Sequence, residues 1–354
     1  MKKRVLIPAL AGIMAAAVMS GCTLKGSEAA ITVGDTEIKA DVANFYARYT
    51  QAQYETYYSA YMPEDKWNSE ASEGKTYEES VKESVQDTLS TMVLLEQHMG
   101  DYDVSLTDDE KKVVEDTAQK FDADNSLEDK DMVSGDKKAV ERMLTLMAVQ
   151  QKMQEAIEEG VDTDVSDEEA AQKSMDYVLF SYTTTDDSGT STDLTDDEKK
   201  ALKEKADTLA ADLKKGGDFK ALAETAGVEV SKATFDKEST SPDEELVKAA
   251  DALKEGESTD VIETDAGCYV AKVTSLLDRE ATDAKKDTIV QERKNELYND
   301  TCEKWRKDAK ITVHKDVWKK INFNDLTVTM NVEEETPYSD SVKTDDQVDL
   351  DAEE

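Results

Sequence analysis

Val5 to Val18 is the one long apolar run in this chain, and whatever follows has to fold without a second. It is preceded by Lys2, Lys3 and Arg4 and leads through Met19, Ser20 and Gly21 into Cys22. A basic start, a short apolar stretch and small residues before a cut are the layout of a secretory signal peptide. The run is too short to span a bilayer as a mature helix, which needs about 20 residues. Everything after Cys22 is therefore expected to be a water-soluble, extracytoplasmic chain.

The Ser-Gly-Cys ending resembles the lipobox of bacterial lipoproteins, with Met19 where Leu or Val is commoner. The resemblance implies cleavage of residues 1–21 and lipid on Cys22, which would hold the chain at the outer face of the cell membrane. Each buried methylene of such an anchor adds about 0.8 kcal/mol.

The formal charge of −38 becomes about −41 once the three N-terminal bases are cut away. Such a chain repels nucleic acid and anionic headgroups, so neither is expected as a partner. The charge itself reads as a solvated surface. With 14 Gly, 4 Pro and 6% aromatic residues, helix-rich domains are favoured over a β-sandwich. Cys268 and Cys302, the remaining cysteines, do not make a disulfide framework; buried thiols are preferred to a bridge.

Residues 22–30 read as a tether. Ile31, Val33 and Ile38 alternate around Gly34-Asp35 as a small extended entry. From Ala40 to Tyr61 the residues Val42, Phe45, Tyr46, Tyr49, Tyr57 and Tyr61 share a helical face. That stripe either packs or binds unfolded peptide, and packing is the preferred reading. Thr76/Glu79, Thr107/Glu110, Ser166/Glu169 and Thr195/Glu198 have capping-box spacing, which marks helix starts. Helices are predicted over about 76–99, 107–121 and 136–159, making 31–163 a helical module. The acidic run Asp122 to Asp131 lacks the sixth-place glycine and closing glutamate of a calcium loop. P-loop, zinc and nucleophile-elbow spacings are also missing, so no metal or cofactor is expected.

The rhythm changes across 164–278. A strand at Tyr177–Tyr182 precedes a Thr/Asp/Ser/Gly loop to Asp193 and a helix with Leu202, Ala206, Leu209 and Leu213 on one face. A short helix at Phe219–Ala223, a strand around Val228 and Val230, and a helix at Leu246–Leu253 follow. Thr259–Ile262 and Cys268–Val273 close as a hairpin. This β-α-α-β-α-β-β order makes a small α+β domain with a four-stranded antiparallel sheet. Residues 279–330 supply a long helix, with Val290, Leu297, Tyr298 and Trp305 inward, then a strand at Ile311–Val313 and an apolar Val317-Trp318-Ile321 cluster. The acidic 331–354 tail is expected to be disordered.

Several strings now resemble a known family. "LKKGGDFKALAETAG" and "AADALKEGESTDVIETDAGCYVAKV" are similar to stretches of parvulin-type peptidyl-prolyl isomerases. "AAITVGDTEIKADVANF" resembles the opening of the SurA and PrsA chaperones, which also set a helical module before the parvulin domain and return a C-terminal helix to it. The resemblance implies an α+β foldase that binds unfolded or newly secreted polypeptides and forms a homodimer.

Active parvulins use two histidines, a central Cys or Asp, and an apolar proline pocket. Here the histidine positions fall at Tyr177 and Tyr269, and the only histidines, His98 and His314, lie elsewhere. The stretch that carries the central acid is replaced by "ATFDKEST", with Asp236 as substitute. Leu246 matches a pocket phenylalanine, and Leu179 and Thr264 would line the same substrate pocket. Phenols both donate and accept hydrogen bonds but do not titrate near neutral pH. The resemblance thus implies at most weak isomerisation. A fully active isomerase and a solute-binding or scaffolding lipoprotein are the alternatives.

Overall fold

The computed structural model describes residues 13–17, 24–61, 63, 65–72, 74–185 and 189–330. Cys22 and the acidic tail lie outside the described residues. The chain divides into two units, Met1–Gly160 with Leu297–Glu354, and Val161–Glu296.

In the first unit, helices begin where the hydroxyl-glutamate spacing places them. Thr76 and Thr107 each form a complete capping box at the heads of the helices Tyr77–Gln97 and Asp108–Asp124. Asp136 caps Lys137–Glu158. These helices and Ala40–Tyr57 bury Phe45, Leu89, Met92, Phe121, Met143 and Leu144 in one core, with Phe45 and Phe121 edge to face at 5.3 Å. The acidic run forms a further helix, Leu127–Val133, capped by Ser126. Lys130 reaches back from it to the Asp122 carboxylate and carbonyl. Propensity missed that helix because four of its seven residues are charged and its only buried residue is Val133.

The tyrosine stripe divides. Val42, Phe45 and Tyr49 are buried, whereas the helix ends at Tyr57 and Tyr57, Tyr58 and Tyr61 are exposed.

Three strands build a sheet in the order Ile311–Val313, Ala29–Val33, Thr36–Lys39, all antiparallel. The first of them comes from the far end of the chain. A second distant segment, Leu326–Met330, pairs antiparallel with Ile13–Ala17, part of the apolar run read as a leader.

Beneath Leu326–Met330 lies a buried polar row on Ala40–Tyr57: Arg48, Gln51 and Glu55, none more than 6% exposed. Arg48 Nη1 donates to Gln51 Oε1 (2.6 Å). Gln51 Nε2 donates to Glu55 Oε1 and to the carbonyls of Phe323 and Leu326. Glu55 also accepts from Trp67 Nε1 (2.8 Å) and from the Val328 N–H (2.9 Å). Burial lowers the Arg48 pKa to about 10, against the pull of Glu78, Asp325 and Glu55, so it stays charged at neutral pH.

The second unit is a four-stranded antiparallel sheet in the order Ile262–Thr264, Gly267–Ser275, Lys173–Ser181, Ser231–Phe235. Strand alternation gives it two apolar faces. Val178, Phe180, Cys268 and Val270 pack with the helices Asp196–Lys214 and Phe219–Ala226. Met175, Phe235, Ala271 and Val273 pack with the helix Glu244–Asp251. Gly267 opens the closing strand at φ +146°, and a Cβ there would run into the Phe180 carbonyl oxygen.

Three local expectations shift. The loop before Asp193 contains a small hairpin, Thr183–Thr185 with Ser191–Asp193, because threonines pair across it. The strand placed at Val228 and Val230 is Ser231–Phe235, whose Ala233 and Phe235 face the sheet's second core. Thr259 lies before the closing hairpin and bonds to the Ala271 backbone in both directions, so the first strand of that hairpin starts at Ile262. The helix Arg279–Asp308 contributes its first part to this unit. Its residues from Leu297 on belong to the first unit, where Leu297, Tyr298 and Trp305 pack with Leu95, Val149 and Met153.

All three tryptophans, Trp67, Trp305 and Trp318, lie in the first unit, so indole fluorescence reports that unit alone. Glu55→Ala strips the partner from two buried donors and should destabilise it by on the order of 3 kcal/mol. The urea midpoint of tryptophan fluorescence should fall accordingly, and an unchanged midpoint would show the row to be dispensable.

Candidate functional site

On the strand Lys173–Ser181, residues 175, 177 and 179 point to the face that carries the helix Glu244–Asp251. On its neighbour Gly267–Ser275, residues 269, 271 and 273 do the same. Register sets Tyr269 opposite Leu179 and Ala271 opposite Tyr177. The two tyrosines are therefore diagonal neighbours on one face, with ring centroids 6.2 Å apart and planes inclined at 45°. Tyr269 is buried, while Tyr177 and Leu179 are half-buried. Leu246 is fully buried and forms the floor of this face from the helix above it. The family resemblance assigned all four residues to the site, and the structure brings them together on one face of the sheet.

Burial raises the Tyr269 pKa, and the nearby Asp243 and Tyr177 push in the same direction. Asp243 escaped the sequence reading. Its carboxylate caps the helix by accepting from the Glu245 and Leu246 N–H groups. The Pro-Asp-Glu-Glu string before an apolar pair is a helix-start pattern that could have found it.

Thr264 stands at the turn of the closing hairpin, paired with Gly267. Its hydroxyl accepts from the Ala266 N–H (3.2 Å) and lies 3.4 Å from the Gly267 carbonyl. It shapes the turn that delivers Tyr269.

Asp236 is not brought to the tyrosines. Tyr177 pairs with Ser231, and Asp236 lies beyond Phe235 at the other end of that strand, roughly 16 Å along at 3.3 Å per residue. Its carboxylate accepts from Gln172 Nε2 (2.8 Å), the Glu238 N–H (2.9 Å) and the Ser239 hydroxyl (3.0 Å), with Lys285 at 3.8 Å. These bonds close a turn.

A second polar cluster lies toward the opposite face. The Tyr182 hydroxyl donates to Glu263 (3.0 Å) and meets Cys268 Sγ at 3.1 Å. Burial first, then Cys268 and Glu263, hold this phenol far above its ordinary range. Cys268 and Cys302 are both free thiols. The two histidines have structural partners in the first unit: His98 stacks on Trp305 and His314 Nε2 meets the Thr32 hydroxyl at 2.9 Å. Among the described residues, no group of three or more His, Cys, Asp or Glu is placed to hold a metal ion. No helix among them is long and apolar enough to cross a membrane.

Residues 172–287, which hold this sheet and its helices, match the family model of the PPIC-type PPIASE domain. The longer chain is similar to the foldase PrsA of Streptococcus pneumoniae, at 17% identity over 72% of this chain and 100% of that one, TM-score 0.29. It is also similar to PrsA of Bacillus subtilis, at 19% identity over 68% and 90%, TM-score 0.22. A structure from Campylobacter jejuni, described with the SurA-like chaperones PEB4 and Cj1289, matches at 12% identity over 80% and 98%, TM-score 0.27. Similarity this loose carries no argument about activity. No curated protein matches the sequence.

Asp236 gives a pH test of the placement just described. Burial opposes its charge, but the bonds from Gln172, Glu238 and Ser239 and the nearby Lys285 prevail and hold the folded pKa below the ordinary value. A depressed carboxylate stabilises the fold above the unfolded pKa of about 3.9, and loses that contribution as pH falls through the folded value. Asp236→Asn should therefore be less stable than wild type at pH 6, with the gap closing below about pH 4. Circular dichroism during urea unfolding at both pH values checks this.

Proposed function

We propose that the chain is an extracytoplasmic foldase, cut before Cys22 and anchored by lipid on that residue, that binds unfolded secreted polypeptides. The observation that carries this reading is the PPIC-type match over 172–287, joined to a leader ending in Ser-Gly-Cys. The helical first unit supplies binding surface, and the parvulin-type domain adds weak prolyl isomerisation.

The chemistry asks little of the site. The barrier to rotation, about 20 kcal/mol, comes from amide conjugation. An apolar face that holds the amide twisted, with a donor aimed where conjugation is lost, lowers it without a covalent step. Tyr177, Leu179 and Tyr269 offer that face and two phenolic donors, over the floor made by Leu246. The site holds no imidazole, the side chain whose ordinary charge change falls around neutrality. Thr264 acts on the site through the hairpin turn, and Asp236 contributes to stability.

Two assays test the reading. The mature chain should suppress aggregation of an unfolded protein and should accelerate isomerisation of a short proline peptide only slightly. That acceleration should vary less than about twofold between pH 6 and 8, and should vanish in Tyr177→Phe/Tyr269→Phe. A strong rate that those two changes abolish would instead make this an efficient isomerase working with phenols. Failure in both assays, with tight binding of a small solute, would overturn the foldase reading.

Anchoring is tested separately. In a bacterium that processes lipoproteins, Cys22→Ser should lose incorporation of labelled fatty acid and move from the membrane to the soluble fraction. Unchanged labelling would place the lipid elsewhere.

A further inference from the structure

The strand Leu326–Met330 is held differently at its two edges. In a strand, the N–H and C=O of one residue point to the same edge, and successive residues alternate. Val328 gives its N–H to Glu55 (2.9 Å), Met330 gives its N–H to the Thr56 hydroxyl (3.0 Å), and the Leu326 carbonyl accepts from Gln51 (2.6 Å). Side chains of the helix Ala40–Tyr57 thus stand in for a neighbouring strand on that edge. Thr327 and Thr329 face the other way, toward Ala16 and Met14 of the segment Ile13–Ala17. That segment reads Ile-Met-Ala-Ala-Ala, an uncharged extended peptide, and it falls within the leader that cleavage before Cys22 removes.

We propose that in the mature protein this vacated edge takes an extended apolar segment of a client polypeptide, added as a strand in the place of Ile13–Ala17. The inference deepens the foldase reading and rests on it and on the cleavage. Backbone bonds to Thr327 and Thr329 are indifferent to client sequence, which suits a binder of many chains. An unpaired edge otherwise exposes polar backbone to any passing strand. The aromatic end of the stripe lies beside it in sequence: Thr56, which bonds Met330, is followed by Tyr57 and Tyr58, and these with Tyr61 are 54–87% exposed. Apolar client side chains beyond the strand's end would find aromatic surface there. In the precursor the leader fills the edge, so the uncleaved chain is closed to clients at this site.

The test uses a fluorescent peptide of residues 11–18. By anisotropy it should bind saturably to the chain from residue 22 carrying Cys22→Ser, and at least about tenfold more weakly to the uncleaved full-length chain. N-methylation of the peptide amide at Met14 or Ala16, which face the edge, should abolish binding, whereas methylation at Ala15, which faces away, should be tolerated. Thr329→Pro removes an edge donor without touching the bonds to Glu55 or Thr56, and should abolish binding while tryptophan fluorescence and circular dichroism stay native. Binding that ignores the position of the methyl group, or that survives Thr329→Pro, overturns the proposal. No binding by a folded mature chain that still suppresses aggregation sinks the edge and leaves the foldase reading standing. Loss of both activities sinks both.

Discussion

Glu55 and Gln51 determine how the first unit closes. One helix near the N-terminus carries a carboxylate and an amide into the apolar core, and each is satisfied by a segment some 270 residues away. A buried carboxylate is costly unless its lone pairs are filled. Here the fillers are the Trp67 indole, the Gln51 amide and a strand N–H. The apolar packing of Phe323, Leu326 and Val328 supplies bulk attraction, while the polar row fixes register. Segments from either side of Val161–Glu296 are thereby tied into one unit, and Val161–Glu296 is an insertion in its sequence.

Much of this was legible in the residues, because helix starts are local events. A threonine with a glutamate three places on needs nothing distant to form a capping box, and Thr76, Thr107 and Thr195 all do so. Ser166 satisfies half the pattern: its hydroxyl accepts from the Glu169 N–H, but the Glu169 carboxylate is drawn to Arg293. What stayed hidden was long-range. Nothing near Gln51 announces its partners, and nothing near Leu326 says that a helix will supply its hydrogen bonds. The alternation around Val228 and Val230 pointed to a strand, yet the sheet took the next five residues, where Phe235 could be buried.

At the candidate site, the family resemblance assigned Tyr177, Leu179 and Tyr269 to one pocket, and strand register sets them on one face. Asp236 was chosen by position in a string, and a string does not show which end of a strand its side chain serves. Asp243, from a separate element, instead adds to the upward push that burial gives the Tyr269 phenol. A face of phenols over leucine is apolar, carries hydroxyls that donate and accept, and is ill suited to proton transfer.

The thiols carry a last consequence. Cys268 is sealed under the helices of its sheet and Cys302 sits against Tyr298 and Trp305, and burial pushes both pKa values upward. Thiols kept protonated are poor nucleophiles and slow to exchange. Among the described residues no disulfide staples either unit, so packing holds both, helped in the first by the polar row. The fold therefore closes without a bridge between Cys268 and Cys302, and its packing shields both sulfurs from exchange.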